Sequence, residues 1–356
     1  MRLRPDVAAI VPYRQGRTAA ADAFKLSSNE NPYPPLPSVL EALAAVHANR
    51  YPDGSAAAVR DALGRRWRVS PERVHVGAGS TAIIGDLMNA TCDHGDEVLY
   101  AWRSFEGYPL IAAAHGIHAV TVPVDVRGRH DLAAMAGAVT PRTRLVLLCS
   151  PNNPTGPVIH HGEFEAFMRA VPSDVLVVLD EAYAEFVTSP DAVRGEGVLA
   201  NWPNLVVLRT FSKAYGLAGL RIGYAVGPEY VLDAVRAVAT PLAVTDLAQR
   251  AALASLEHED ELMERVAEIT RRRDEVRDAL LAQGWDVPEA QGNYVWLPTG
   301  SRTAAAAEVF DRGGVIVRPL GDGIRISIGE AEAVEKLLRS AQEVVSMLPV
   351  APKAGG

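Results

Sequence analysis

Through the first two thirds of the chain, short runs of β-branched residues and leucine alternate with stretches whose apolar residues recur at three- and four-residue spacing. The runs predict strands near 74–77, 97–101, 118–123, 144–149, 175–180, 205–210 and 222–226, with helices between most of them. Such alternation is α/β architecture. Leu145-Val146-Leu147-Leu148 and Val175-Leu176-Val177-Val178-Leu179 are apolar at successive positions. Both faces of these strands must then be covered, as in a mostly parallel sheet with helices on each side. Ligands bind such sheets beyond the carboxyl ends of the strands, so polar or glycine-rich residues just after each run are where chemistry is expected.

From about Asp246 to Gln283 the pattern turns helical and charged, with Leu262, Val266, Ile269, Val276 and Leu280 near helical spacing. This predicts one or two long helices, broken near His258, leading into a second domain. Arg271-Arg272-Arg273 reads as a solvated helix face, since Glu264, Glu268, Asp274 and Glu275 surround it. Beyond Gly284 come a strand at 293–297, a helix near 303–312, strands at 315–317 and 324–328, and a final helix over about 330–347. The expected organisation is an N-terminal arm (1–30), a large domain (31–245), a small α+β domain (246–350) and a frayed tail (351–356).

Composition changes this picture little. The 356 residues suffice for about two domains, and 35 Lys+Arg against 43 Asp+Glu give a net charge of −8, unlike a nucleic-acid binder. With 48% hydrophobic and 22% charged residues, the chain is neither collagenous nor coiled-coil nor disordered. Cys92 and Cys149 are too few for a disulfide framework, lack metal-site spacing, and are expected as core thiols in a reducing compartment. The N-terminus has no continuous apolar segment of the signal-peptide kind, and no run reaches about 18 apolar residues. A cytoplasmic protein, without membrane or nucleic-acid partners and without a metal, is expected.

Four strand ends carry the candidate chemistry. In Thr210-Phe211-Ser212-Lys213-Ala214-Tyr215-Gly216-Leu217-Ala218-Gly219-Leu220-Arg221, a lysine sits among small and hydroxyl residues. Desolvation there would free its amine for covalent attachment to an aldehyde cofactor, while Thr210, Ser212 and Arg221 suit a phosphate. A surface-loop lysine is the bland alternative. Asp180 and Tyr183 end the buried run in Leu179-Asp180-Glu181-Ala182-Tyr183. A buried carboxylate needs a cation, and a protonated pyridine nitrogen is one. A helix N-cap or a magnesium ligand are the alternatives, the latter without any G-x-x-x-x-G-K-[ST] loop in the chain. Ser150-Pro151-Asn152-Asn153-Pro154-Thr155-Gly156 is a turn that could hold the Asn153 amide toward a phenolate oxygen. Val76-Gly77-Ala78-Gly79-Ser80-Thr81 leads a strand into a helix, so the Gly79 and Ser80 N–H groups can face a phosphate.

Taken in order, GAGS, SPNNPTG, LDEAY and TFSKAYGLAGLRIG make a sequence that resembles the fold-type-I pyridoxal-phosphate aminotransferases over almost its whole length. Ser28-Asn29-Glu30-Asn31-Pro32 and Arg50-Tyr51-Pro52-Asp53-Gly54 resemble the branch containing histidinol-phosphate aminotransferase. Trp102-Arg103-Ser104-Phe105-Glu106-Gly107-Tyr108-Pro109 is more similar to its aromatic (phenylalanine) relatives. The implied fold is a large domain with a mostly parallel sheet and a smaller α+β domain.

The resemblance implies pyridoxal 5′-phosphate as cofactor, with Lys213 its covalent anchor and proton carrier and Asp180 the partner of its ring nitrogen. Asn153 and Tyr183 match groups that bond the ring hydroxyl, and Phe105 matches an aromatic stacked on the ring where many relatives carry tyrosine. Gly79, Ser80, Thr210, Ser212 and Arg221 match the phosphate cradle. Tyr51 matches a tyrosine reaching that phosphate from the second subunit of a homodimer. Arg325, in Gly323-Ile324-Arg325-Ile326-Ser327, matches the anion-binding arginine, with Arg318 a second cation, Asn29 a lid contact, and Tyr13 and Tyr33 possible walls. The implied reaction is ping-pong transfer of an aromatic amino acid's amino group, through pyridoxamine phosphate, to a 2-oxo acid such as 2-oxoglutarate. The rivals are histidinol-phosphate aminotransferase, a decarboxylase or lyase of the same fold, and a cofactor-sensing transcription factor. The last is disfavoured by acidic charge and by a phosphate loop as early as residue 77.

Overall fold

A computed structural model describes residues 4–8, 10, 22–46 and 49–347. Among these described residues twelve strands run in the order β1 (Phe24–Lys25), β2 (Val74–Gly77), β3 (Glu97–Trp102), β4 (His118–Pro123), β5 (Thr143–Cys149), β6 (Leu176–Asp180), β7 (Leu205–Thr210), β8 (Gly223–Val226), β9 (Tyr294–Pro298), β10 (Val315–Ile316), β11 (Arg318–Leu320) and β12 (Gly323–Ser327). Seven form one sheet in the order β2-β8-β7-β6-β5-β3-β4. The pairs from β7 to β4 are parallel, and only β8 runs against its neighbours β2 and β7. The connection from Thr210 to Gly223 holds no α-helix. Without a crossover helix, β8 returns antiparallel.

The doubly apolar runs explain the layers. Leu145 and Leu147 of β5 and Val178 of β6 join helix Ser80–Thr91 in one core, while Val146, Leu148, Val177 and Leu179 pack into the other with Phe164 and Phe167 of helix His161–Ala170. Each fully buried side chain of this kind is worth about 1.5–3 kcal/mol. Helix starts follow local chemistry as well. Asp131 Oδ1 accepts from Ala134 N at 2.9 Å, and Thr245 Oγ1 from Ala248 N at 3.2 Å.

The helical stretch is two helices, Asp246–Glu257 and Glu259–Ala282, that meet at His258. One expectation fails here. Arg271 is exposed and pairs with Glu268 and Glu275, but Arg272 and Arg273 are buried. Arg273 Nη1 donates to the Phe186 carbonyl at 2.8 Å, and Arg272 Nη1 to that of Gly329 at 2.6 Å. Consecutive helical residues point about 100° apart, so a run of three arginines cannot share one solvated face.

The three-stranded sheet β11-β12-β9 is antiparallel and packs against helix Thr303–Arg312, which in turn packs on helix Ala333–Met347. Its neighbour β10 pairs in parallel with β1, so the chain entering the molecule is fastened to its far end. Cys149 is buried as expected, Cys92 only half-buried, and both are free thiols. Among the described residues no helix is long and apolar enough to cross a membrane, and no cluster of His, Cys, Asp or Glu could hold a metal ion.

Candidate active site

Because β5, β6 and β7 are parallel, their carboxyl ends open on one side, and the register places Cys149 beside Asp180. Asp180 is 4% exposed. Its Oδ2 accepts from the Tyr108 hydroxyl at 2.7 Å and its Oδ1 from the Ala182 N–H at 3.2 Å. Burial pushes its carboxyl up to about 6, against the pull of these two hydrogen bonds. No helix begins at Asp180, which removes the capping alternative.

Lys213 follows β7 by three residues. Its Nζ donates to the Ser28 carbonyl at 3.1 Å and lies 5.8 Å from the centre of the Tyr183 ring. Burial of the amine, and then the positive charge of Arg325, lower its pKa to about 7, with Glu30 opposing. Some of the residue's surface stays accessible, but the ammonium itself is enclosed. This is no solvated loop lysine.

Around Ser212 and Arg221 the chain builds a candidate anion cradle. Gly79 has φ 86° and precedes helix Ser80–Thr91, whose first N–H groups have no carbonyl partner within the helix. A Cβ on Gly79 would collide with the Arg221 guanidinium, so glycine alone lets that cation approach the helix N-terminus. Arg221 Nη1 donates to Ser212 Oγ at 3.2 Å, and Ser212 N to Thr210 Oγ1 at 3.1 Å. Two hydroxyls, a guanidinium and a helix dipole thus converge, which is phosphate-binding chemistry.

Arg325 of β12 supplies a second cation, close enough to Lys213 for its charge to lower that amine's pKa. Its Nη1 donates to Asn153 Oδ1 and its Nη2 to the Ser27 carbonyl, both at 2.7 Å. Its buried Nε has no hydrogen-bond partner among the described residues. A buried guanidinium with a donor left over suits an incoming carboxylate. Asn29, expected as a lid contact, is fully buried: Nδ2 donates to the Tyr183 hydroxyl at 3.0 Å, and Ser327 Oγ donates to Oδ1 at 2.9 Å. The Tyr183 ring packs edge-on to Tyr294 at 5.0 Å, and burial raises its phenol well above the usual range.

The remaining predicted residues are placed as follows. Phe105 is half-buried, edge-on to Tyr108 with ring centres 5.4 Å apart. Arg318 is ion-paired to Glu106. Tyr33 is half-buried beneath Arg265 and accepts from Arg272 at 3.4 Å. Tyr51 is 86% exposed, outside the cleft of its own chain. Tyr13 lies outside the described residues. Sequence reasoning missed Tyr108, Ser327 and Tyr294. Tyr108 lies in a segment already singled out, but nothing local in that segment points to its bond with Asp180, 72 residues away.

Comparison with known proteins agrees with this geometry. Residues 21–340 match the family described as Aminotransferase class I and II. The chain is 50% identical to an aromatic amino acid aminotransferase of Streptomyces coelicolor over 96% of its own length and 97% of that protein's. It is also 50% identical to one from Thermobifida fusca, covering 92% of each. Among solved structures, histidinol-phosphate aminotransferase from Sinorhizobium meliloti, in complex with pyridoxal-5′-phosphate, superimposes with a TM-score of 0.87 at 28% identity, covering 97% of this chain and 98% of that one. Thermus thermophilus aspartate aminotransferase with maleate gives 0.82 at 27% identity, covering 98% and 100%.

Proposed function

Because the chain belongs to the class I and II aminotransferases, we propose that it transfers the amino group of an aromatic amino acid to a 2-oxo acid such as 2-oxoglutarate, using pyridoxal 5′-phosphate. The observation that carries this reading is the pairing of an enclosed amine, Lys213, lowered to about 7, with a buried carboxylate, Asp180, at the ends of neighbouring parallel strands. The aromatic preference is supported by the names of the relatives at 50% identity.

When bound, the cofactor supplies an electron sink for charge developing at the substrate's Cα. The protein's own groups do the rest. Lys213 Nζ would fasten the cofactor and, once the substrate's amine has displaced it, would take the Cα proton as a free amine. Its lowered pKa keeps a useful fraction of free amine at neutral pH. Asp180 holds a proton on the ring nitrogen, kept in place by Tyr108 and the Ala182 N–H. Asn153 and Tyr183 would orient the ring hydroxyl, and Phe105 would cover a ring face. Gly79, Ser80, Thr210, Ser212 and Arg221 hold the phosphate. Exposed Tyr51 reaches a second subunit's phosphate, so the working unit is a homodimer. Arg325 grips the α-carboxylate, with Asn29 behind it. In this reading residues 31–245 bind the cofactor and 246–350 grip the substrate, supported by their separate sheets. Free Cys92 and Cys149 fit a cytoplasmic address.

A specific observation favours a second reading, histidinol-phosphate transamination: Arg318 stands directly opposite Arg325 in β11–β12, where two cations could hold a phosphate. Half-reactions with phenylalanine, tyrosine, tryptophan and histidinol phosphate, followed by 2-oxoglutarate, decide between them. The proposal expects kcat/KM for an aromatic donor to exceed that for histidinol phosphate by about tenfold or more, the range one well-matched contact confers. The reverse order, or carbon dioxide released without pyridoxamine phosphate, overturns it.

A further inference from the structure

The arginine that could hold a phosphate is already engaged. Arg318 Nε donates to Glu106 Oε2 at 3.3 Å and Nη2 to Glu106 Oε1, a forked pair with side chains only 16% and 19% exposed. Glu106 directly follows Phe105, at the start of helix Gly107–His115. Arg318 and Arg325 are directly opposed across the antiparallel β11–β12 pair, so their side chains leave the same sheet face about 5 Å apart at Cβ. Glu106 therefore brings a negative charge to the anion end of the cleft.

Building on the aminotransferase reading above, we propose that Glu106 is a specificity-determining residue: it cancels Arg318, so that the pocket offers the net single positive charge of Arg325. That balance fits a monoanionic α-carboxylate. A phosphate monoester in the same place would bring close to two negative charges, one facing Glu106 at a half-buried site where water screens it poorly. The pair thus rejects phosphorylated amino alcohols by charge rather than by size.

Holoenzyme carrying Glu106→Gln, Arg318→Gln or both is compared with wild type using phenylalanine and histidinol phosphate, and inorganic phosphate serves as an inhibitory probe. Glu106→Gln leaves two cations, so the ratio of kcat/KM for histidinol phosphate to that for phenylalanine should rise about tenfold or more, equivalent to about 1.4 kcal/mol. Inhibition by phosphate should tighten in parallel and weaken with added salt. Arg318→Gln should move the ratio the opposite way, which keeps the test available if Glu106→Gln does not fold. The double variant restores a single positive charge and should restore the wild-type preference. An unchanged ratio in both single variants, or equal losses for both donors without tighter phosphate inhibition, overturns the proposal. Wild type that turns over no aromatic donor defeats the functional reading instead, so the two failures are told apart.

Discussion

Lys213 and Asp180 owe their chemistry to where the chain puts them rather than to what they are. An exposed lysine titrates near 10.4 and an exposed aspartate near 3.9. Here burial brings the two toward each other, to about 7 and about 6. The sign for cofactor capture follows. Below pH 7 Lys213 is an ammonium and cannot attack an aldehyde, whereas above it the free amine dominates. The rate at which apoprotein takes up pyridoxal phosphate should climb between about pH 6 and 8 and then level off, measured by stopped-flow absorbance. A climb continuing past pH 9 would mean an ordinary lysine. Both residues were legible in the sequence as candidates, because a charged residue at or just beyond the end of a doubly apolar strand has few other reasons to be there. Tyr108 was not, since the Asp180 it holds lies 72 residues away and no local pattern announces the bond.

At the scale of elements, the cradle depends on how closely β8 approaches the start of helix Ser80–Thr91. A Cβ added to Gly223 would stand 2.6 Å from Ser80 N and 2.9 Å from the Arg209 carbonyl, both backbone atoms that cannot rotate away. Gly223→Ala must therefore push the helix start off Arg221. Overpacking of this kind costs about 1–3 kcal/mol. The expected result is a lower melting temperature together with a raised dissociation constant for pyridoxal phosphate, both measured on the refolded apoprotein. Unchanged affinity would show that the cradle does not depend on this approach. Strands β2 to β8 could be read from sequence within a residue or so: burial on both faces leaves unbroken apolar runs in central strands such as β5 and β6, while the edge strand β4, largely exposed, is marked by its β-branched residues. The reversal of β8 could not, since it follows from the missing crossover helix after Thr210. Arg272 and Arg273 misled for a related reason: charge composition says that a helix has a wet face, not which residues occupy it.

Across the whole molecule, the cleft is closed by contacts between the two ends of the chain. Asn29 with Ser327, and Arg325 with the Ser27 carbonyl, each span 298 residues, and β1 is paired to β10 beside them. Such long-range pairings have no signature in a single sequence, which is why Asn29 reads there as a lid contact and its burial is not foreseen. The same layout makes the account's main claim simple to test, because the chain has only four lysines, Lys25, Lys213, Lys336 and Lys353. Lys25 is paired with Glu30 at 2.8 Å, and Lys336 donates to the Asp22 carbonyl at 2.8 Å, both away from Asp180. Reduction of the holoenzyme with borohydride, followed by peptide mass mapping, locates the lysine that carries pyridoxal phosphate. The account predicts one phosphopyridoxyl group per chain, on Lys213; a label on Lys25, Lys336 or Lys353, or no label, contradicts it.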